Sequence, residues 1–129
     1  MTSIKHHATG WINVASYDSK PYDEADGLTI SEVHVVEDFT GGLIGTGKAR
    51  FLMVTTADGS AYFTGIERFT GSVAGRAGSF VLRNTGLLKD GQVISEWLVI
   101  PGSGTGEITG LRGKGGTGPS GYFFDYWFE

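Results

Sequence analysis

The chain has 129 residues, enough for one hydrophobic core and not for two, so a single domain over 1–129 is expected. Apolar residues make up 40% and charged residues 19%, and no apolar run nears the roughly 20 residues of a membrane-spanning helix, which excludes a disordered chain and a helical membrane protein. The net charge is −4 and the ten basic residues are scattered from Lys5 to Lys114, which argues against nucleic acid as a partner.

The N-terminal Met-Thr-Ser-Ile-Lys-His-His lacks the apolar stretch of a secretory signal, and the absence of cysteine removes disulfides, thiolate metal sites and a cysteine nucleophile. Both features fit a cytoplasmic protein. Glycine is abundant, 22 residues against three prolines, and at this density it signals tight turns or close backbone contacts.

Strand signals follow one another along the chain. The first is 5–17, with Trp11 and Asn13 on one face and Ile12 and Val14 on the other. The polar segment 18–27, "DSKPYDEADG", reads as a loop over one mouth. Segments 28–39 and 48–56 are rich in β-branched residues, and 60–71, 78–88 and 92–100 continue the style. Segment 106–115 is a weaker strand and 122–128, "YFFDYWF", a strong closing one. Turn signals separate them at Ala57-Asp58-Gly59, Lys89-Asp90-Gly91 and Gly118-Pro119-Ser120-Gly121. No segment carries an amphipathic helical stripe with caps. Eight short strands in one small domain imply a closed antiparallel eight-stranded β-barrel, because closure removes exposed edges. Such a barrel is wide enough for side chains or one small ligand.

The stretch "GSGTGEITGLRGKGGTG" (102–118) invites comparison with phosphate-binding loops. A Walker loop needs glycine five positions before Gly113, where Ile108 stands, and Ser or Thr after Lys114, where Gly115 stands. A dinucleotide fingerprint beginning at Gly104 and Gly106 needs glycine at Thr109. Neither motif has its following helix. The stretch is β punctuation, and no cofactor is implied. Related Thr-Gly runs in 39–51, 69–80 and 108–116 read as strand bends where glycine lets a wall curl.

The motifs "PGSGTGEITGLRGKGG" and "FTGIERFTGSVAGRAGSFVLRNTG" closely resemble the bacterial DUF3224 family, and the resemblance runs from "YDSKPYDE" to "FFDYWFE". It implies an eight-stranded barrel of the allene oxide cyclase type, related in shape to the calycins. The family has no established biochemical role, so the resemblance implies a fold and little function. Many members carry histidine where this chain has Asn84, so a function that depends on that histidine is not implied here.

Alternation places candidate site residues. In 61–70 one face holds Ala61, Phe63, Gly65, Glu67 and Phe69, and this face is expected to point inward. In 79–87 the inward set is Phe80, Leu82, Asn84 and Gly86, with Trp97 and Val99 as neighbours on the next strand. The resulting lumen is apolar with two polar groups, Glu67 and Asn84. It suits a small hydrophobic ligand held by Phe63, Glu67, Phe69, Phe80, Leu82, Asn84 and Trp97. A cofactor-free cyclase or isomerase is the alternative, with Glu67 as the catalytic acid or base. A third possibility is purely structural, with Glu67 satisfied by Asn84, Arg50 or a backbone amide. His6 and His7 are adjacent and point to opposite faces, and His34 stands apart, so no metal site is expected. No G-x-S-x-G elbow supports a serine triad. The closing strand has two largely apolar faces, Tyr122, Phe124, Tyr126 and Phe128 against Phe123, Asp125 and Trp127, so both are expected to be covered. With Leu52 and Val54 on an outer wall, this suggests a homo-oligomer, most simply a dimer.

Overall fold

The computed structural model describes residues 3–129. Its strands are β1 (His6–Ala25), β2 (Leu28–Gly41), β3 (Leu43–Thr55), β4 (Ala61–Val73), β5 (Arg76–Lys89), β6 (Gln92–Val99), β7 (Leu111–Gly118) and β8 (Gly121–Phe128). Each runs antiparallel to the one before, and β1 returns to pair with β8, so hydrogen bonding closes the expected eight-stranded ring. Three of the hairpins turn on Asp26-Gly27, Ala74-Gly75 and Asp90-Gly91, with φ positive at both residues of each pair. That is the geometry whose twist matches the flanking strands, and glycine adopts its second position without strain.

The ring is not evenly round one axis, because its strands differ in length. β1 has 20 residues while β7 and β8 have eight each. β1 pairs with β8 only from His6 to Gly10, and beyond Gly10 its remaining length pairs with β2 alone. The segment 18–27, expected as a loop, is therefore mostly strand: β1 continues to Ala25 and the turn is only two residues. These residues are solvated on both faces, so they carry no hydrophobic alternation for a sequence reading to find. Lys20, Pro21 and two register shifts, at Val14/Ser16 and Pro21/Asp23, blunt the free edge against stray pairing.

The opposite end is plugged. β6 stops at Val99, and the glycine-rich segment that follows lies along the edge of β5 in its place. The Ile100 and Thr105 amides donate to the Val81 and Ser79 carbonyls at 2.9 Å each. Side chains complete the seam: Val81 N–H donates to Ser103 Oγ, Ser79 N–H to Thr105 Oγ1 and Ala77 N–H to Glu107 Oε1. The strand expected over 106–115 is thus a 3-10 turn, Gly106–Ile108, and β7 begins only at Leu111. Ile108 is carried fully buried into the end of the ring. Here the glycines serve close approach, since a Cβ at Gly78 would overlap the Thr105 carbonyl. Gly45, Gly71 and Gly78 also stand in one row across β3, β4 and β5, within two of the three Thr-Gly runs.

Alternation then decides the core. Phe39, Leu43, Phe69, Val73, Phe80, Leu82, Ile108, Leu111 and Phe124 pack the plugged half, and each fully buried large side chain contributes about 1.5–3 kcal/mol. A smaller cluster, Val33, Val35, Ala49 and Phe51 with Met53 and Phe63 against it, lines the other half.

Candidate functional site

Where the second cluster ends, packing stops short of filling the ring. A cavity of about 140 Å³ is lined mainly by Ile12, Val33, Val35, Phe51, Met53, Phe63 and Leu88, with Tyr17, Glu37, Asn84, Ser95, Trp97 and Thr117 as its polar members. It leads into an outer groove of about 420 Å³ that shares Ile12, Val14, Glu37, Val93 and Thr117 with it. The mouth follows from strand length: β1 runs on past the end of β8, and β6 reaches down to Gln92 while β7 pairs with it only from Ser95 to Leu98. A window is left between β1 and β6. A cavity of roughly 150 Å³ with apolar walls is large enough for a benzene-sized ring.

The inward assignments along β4, β5 and β6 agree with the structure. Glu67 is 0% exposed, Asn84 6% and Trp97 3%. Asn84 Nδ2 donates to Glu67 Oε1 at 3.1 Å. Of the expected ligand-contacting set, Phe63, Asn84 and Trp97 line the cavity, while Glu67 is fully buried behind it and is not part of its lining. Phe69, Phe80 and Leu82 lie in the packed cluster of the plugged half instead. Trp97 sits at the boundary, with its ring 6.0 Å from Phe39 and 5.7 Å from Tyr122 by centroid. Arg50, one of the partners considered for Glu67, faces outward and binds Glu32.

Glu37 is the functional candidate that the sequence reading missed. It shares its parity with Val33, Val35 and Phe39 on β2, so the alternation that placed Glu67 would have placed it too. Its carboxyl reaches Glu67. Burial, with a hydrogen bond to Glu37 and that residue's charge, pushes the Glu67 carboxyl up from 4.5 to about 9, against a smaller lowering by Asn84. Glu67 Oε2 receives no hydrogen bond from an N–H or hydroxyl group among the described residues. Space for the carboxyl comes from Gly47, where a Cβ would overlap Glu67 Oε2 and the Phe39 ring.

Two further buried polar atoms have no partner among the described residues, Asn84 Oδ1 and Trp97 Nε1. They belong to residues that face each other in register on β5 and β6, and both residues line the cavity. Ser95 is different, since its hydroxyl is paired with Thr117 Oγ1 at 2.7 Å.

The histidines lie elsewhere. His6 stacks on Tyr126, His7 Nδ1 bonds Asp125 Oδ1 and His34 Nε2 bonds Glu32 Oε1. On β8 the face of Tyr122, Phe124 and Tyr126 is buried as expected, but the other face is not covered within the chain, since Phe123 is 46% exposed. Leu52 is also exposed and Val54 half-buried.

A structural relative has the same fold. The crystal structure of a DUF3224-family protein of unknown function from Shewanella oneidensis MR-1 superposes with a TM-score of 0.74 and 28% identity, covering 99% of this chain and 98% of that one. No curated protein matches the chain. The family model for DUF3224, a protein family of unknown function, matches residues 8–129. With 122 of its 129 residues matched and the fold shared end to end, the chain belongs to the DUF3224 family.

Proposed function

We propose that the protein binds a small, largely apolar molecule in the open half of the ring, with the molecule's polar end at Glu37, Asn84 and Trp97. The observation that carries this reading is the pair of unpartnered buried atoms, Asn84 Oδ1 and Trp97 Nε1, on two residues that line a mainly apolar cavity. An unsatisfied buried polar atom costs about 1–3 kcal/mol, so two of them on residues that line one void are a cost that a ligand could offset. The open window supplies an entry path without any movement of the wall.

Melting curves with ethylbenzene test the cavity. Saturating ethylbenzene raises the Tm of the wild type, since a ligand bound only to the folded state stabilises it. Val33→Phe, whose ring fills the chamber, loses that shift. Equal shifts in both proteins, or none in the wild type, would remove the reading.

One observation favours a second reading, a cofactor-free cyclase or isomerase. Two carboxyls in contact, one held protonated and the other closer to solvent, are the arrangement from which acid and base roles arise. Glu67→Gln separates the two, because glutamine keeps the hydrogen-bonding pattern of the protonated acid and cannot transfer a proton. Retained affinity with lost turnover identifies an enzyme; retained affinity with no turnover in either form identifies a binding protein.

A further inference from the structure

We propose that the ligand's head group is an uncharged pair of adjacent groups, an N–H donor beside a C=O acceptor as in a primary amide or a lactam, and not a carboxylate. This rests on the cavity reading above and specifies its chemistry.

The direction of one buried hydrogen bond sets the chemistry. Glu67 Oε1 is a hydrogen-bond acceptor inside the fold. That oxygen accepts from Asn84 Nδ2 at 3.1 Å. The Asn84 amide is thereby fixed in one orientation, and the reversed one would set its Oδ1 against the Glu67 oxygen. Asn84 Oδ1 is therefore left as a buried acceptor with no donor, on a residue that lines the cavity. Donation through Nδ2 polarises the amide, which strengthens Oδ1 as an acceptor. Across the ladder Trp97 Nε1 is a donor with no acceptor, and an indole N–H has no other role. One acceptor and one donor, on residues in register, ask for the complementary pair on the ligand.

Charge decides the rest. Neither the cavity nor its outer groove is lined by a Lys, Arg or His, and the charged residue common to both is Glu37. Lys48, Arg50, Arg68 and Arg83 occupy the opposite parity of β3, β4 and β5 and are exposed. An anionic head group would meet a like charge with no cation to offset it.

Benzamide, acetophenone and benzoate are matched probes, alike in ring and shape and differing only in the group beside the carbonyl. Titrations into the wild type and Asn84→Leu, followed by amide chemical shifts, separate the possibilities. The wild type is expected to bind benzamide about tenfold more tightly than acetophenone, one hydrogen bond's worth, with benzoate weakest. Asn84→Leu is expected to bring benzamide down to the acetophenone level while leaving acetophenone bound, which also shows that the variant is folded. Acetophenone or benzoate binding as tightly as benzamide in the wild type overturns the head-group proposal and leaves the cavity reading standing. A benzamide preference that survives Asn84→Leu also overturns it, because the acceptor would lie elsewhere. Failure of all three probes, together with no ethylbenzene shift, overturns both.

Discussion

The two ends of the ring are built from the same alternating strands and end up as opposites. At the plugged end Phe69, Val73, Phe80, Leu111 and Phe124 pack into one cluster, the missing stretch of wall is replaced by residues 100–108, and Ile108 closes the interior. At the open end the wall stops short at β7 and β8, the interior keeps a void, and the inward polar residues Glu37 and Asn84 are set around it. Stability is concentrated in one half and unsatisfied polarity in the other. The division suits a scaffold that holds a site it does not itself complete.

The largest test of this contrast is a pair of truncations. Phe80→Ala, at a fully buried ring stacked against Phe124, is expected to cost about 3–5 kcal/mol in urea unfolding. Phe63→Ala, at the half-buried cavity wall, is expected to cost less than half as much, because part of its surroundings is already void. Equal losses would erase the distinction between a packed and an unpacked half.

Acid–base linkage gives the next effect. Between pH 4.5 and about 9 folded Glu67 keeps a proton that the unfolded chain has released, so the native state binds more protons. Its contribution is complete below pH 4.5 and is lost as pH rises, by at most about 1.4 kcal/mol per unit, with no further loss above about 9. Glu67→Gln, which has no proton to release, is expected to flatten this slope and to be the more stable protein at pH 7, by up to about 3 kcal/mol. Urea midpoints of both proteins at pH 5 and pH 8 check the sign. A wild type that gains stability over this interval relative to the variant would mean that Glu67 is ionised in the fold.

Tyr122 tethers the two halves. Its hydroxyl donates to the Thr40 carbonyl at 2.7 Å and accepts from the Leu43 amide at 2.9 Å, tying β8 to the β2–β3 turn. Tyr122→Phe leaves that amide unsatisfied and is expected to cost about 1–2 kcal/mol, with faster amide exchange at Leu43 as its local signature. The smallest effect belongs to the exposed pair of Arg112 and Glu129, 2.9 Å apart. Arg112→Ala is expected to change stability by less than about 0.5 kcal/mol, and a larger loss would show that the C-terminus helps to close the plugged end.

The sequence alone determined the strand succession, the closed ring and the inward parity of Glu67, Asn84 and Trp97, because period-two alternation is local and survives wherever one face of a strand is buried. It was silent where that condition fails. Residues 18–25 of β1 have water on both sides, so their strand character is legible only from the pairing with β2. Glu37 was legible by parity but stood out only once β2 lay beside β4 across the interior, which is a property of closure. Tertiary structure alone decided which inward residues meet a void and which meet one another. Phe63 and Phe69 share a strand face, yet one lines the cavity and the other is sealed in the core. The physical reason is the mismatch between a 20-residue β1 and two eight-residue strands, which leaves the wall incomplete at one end only.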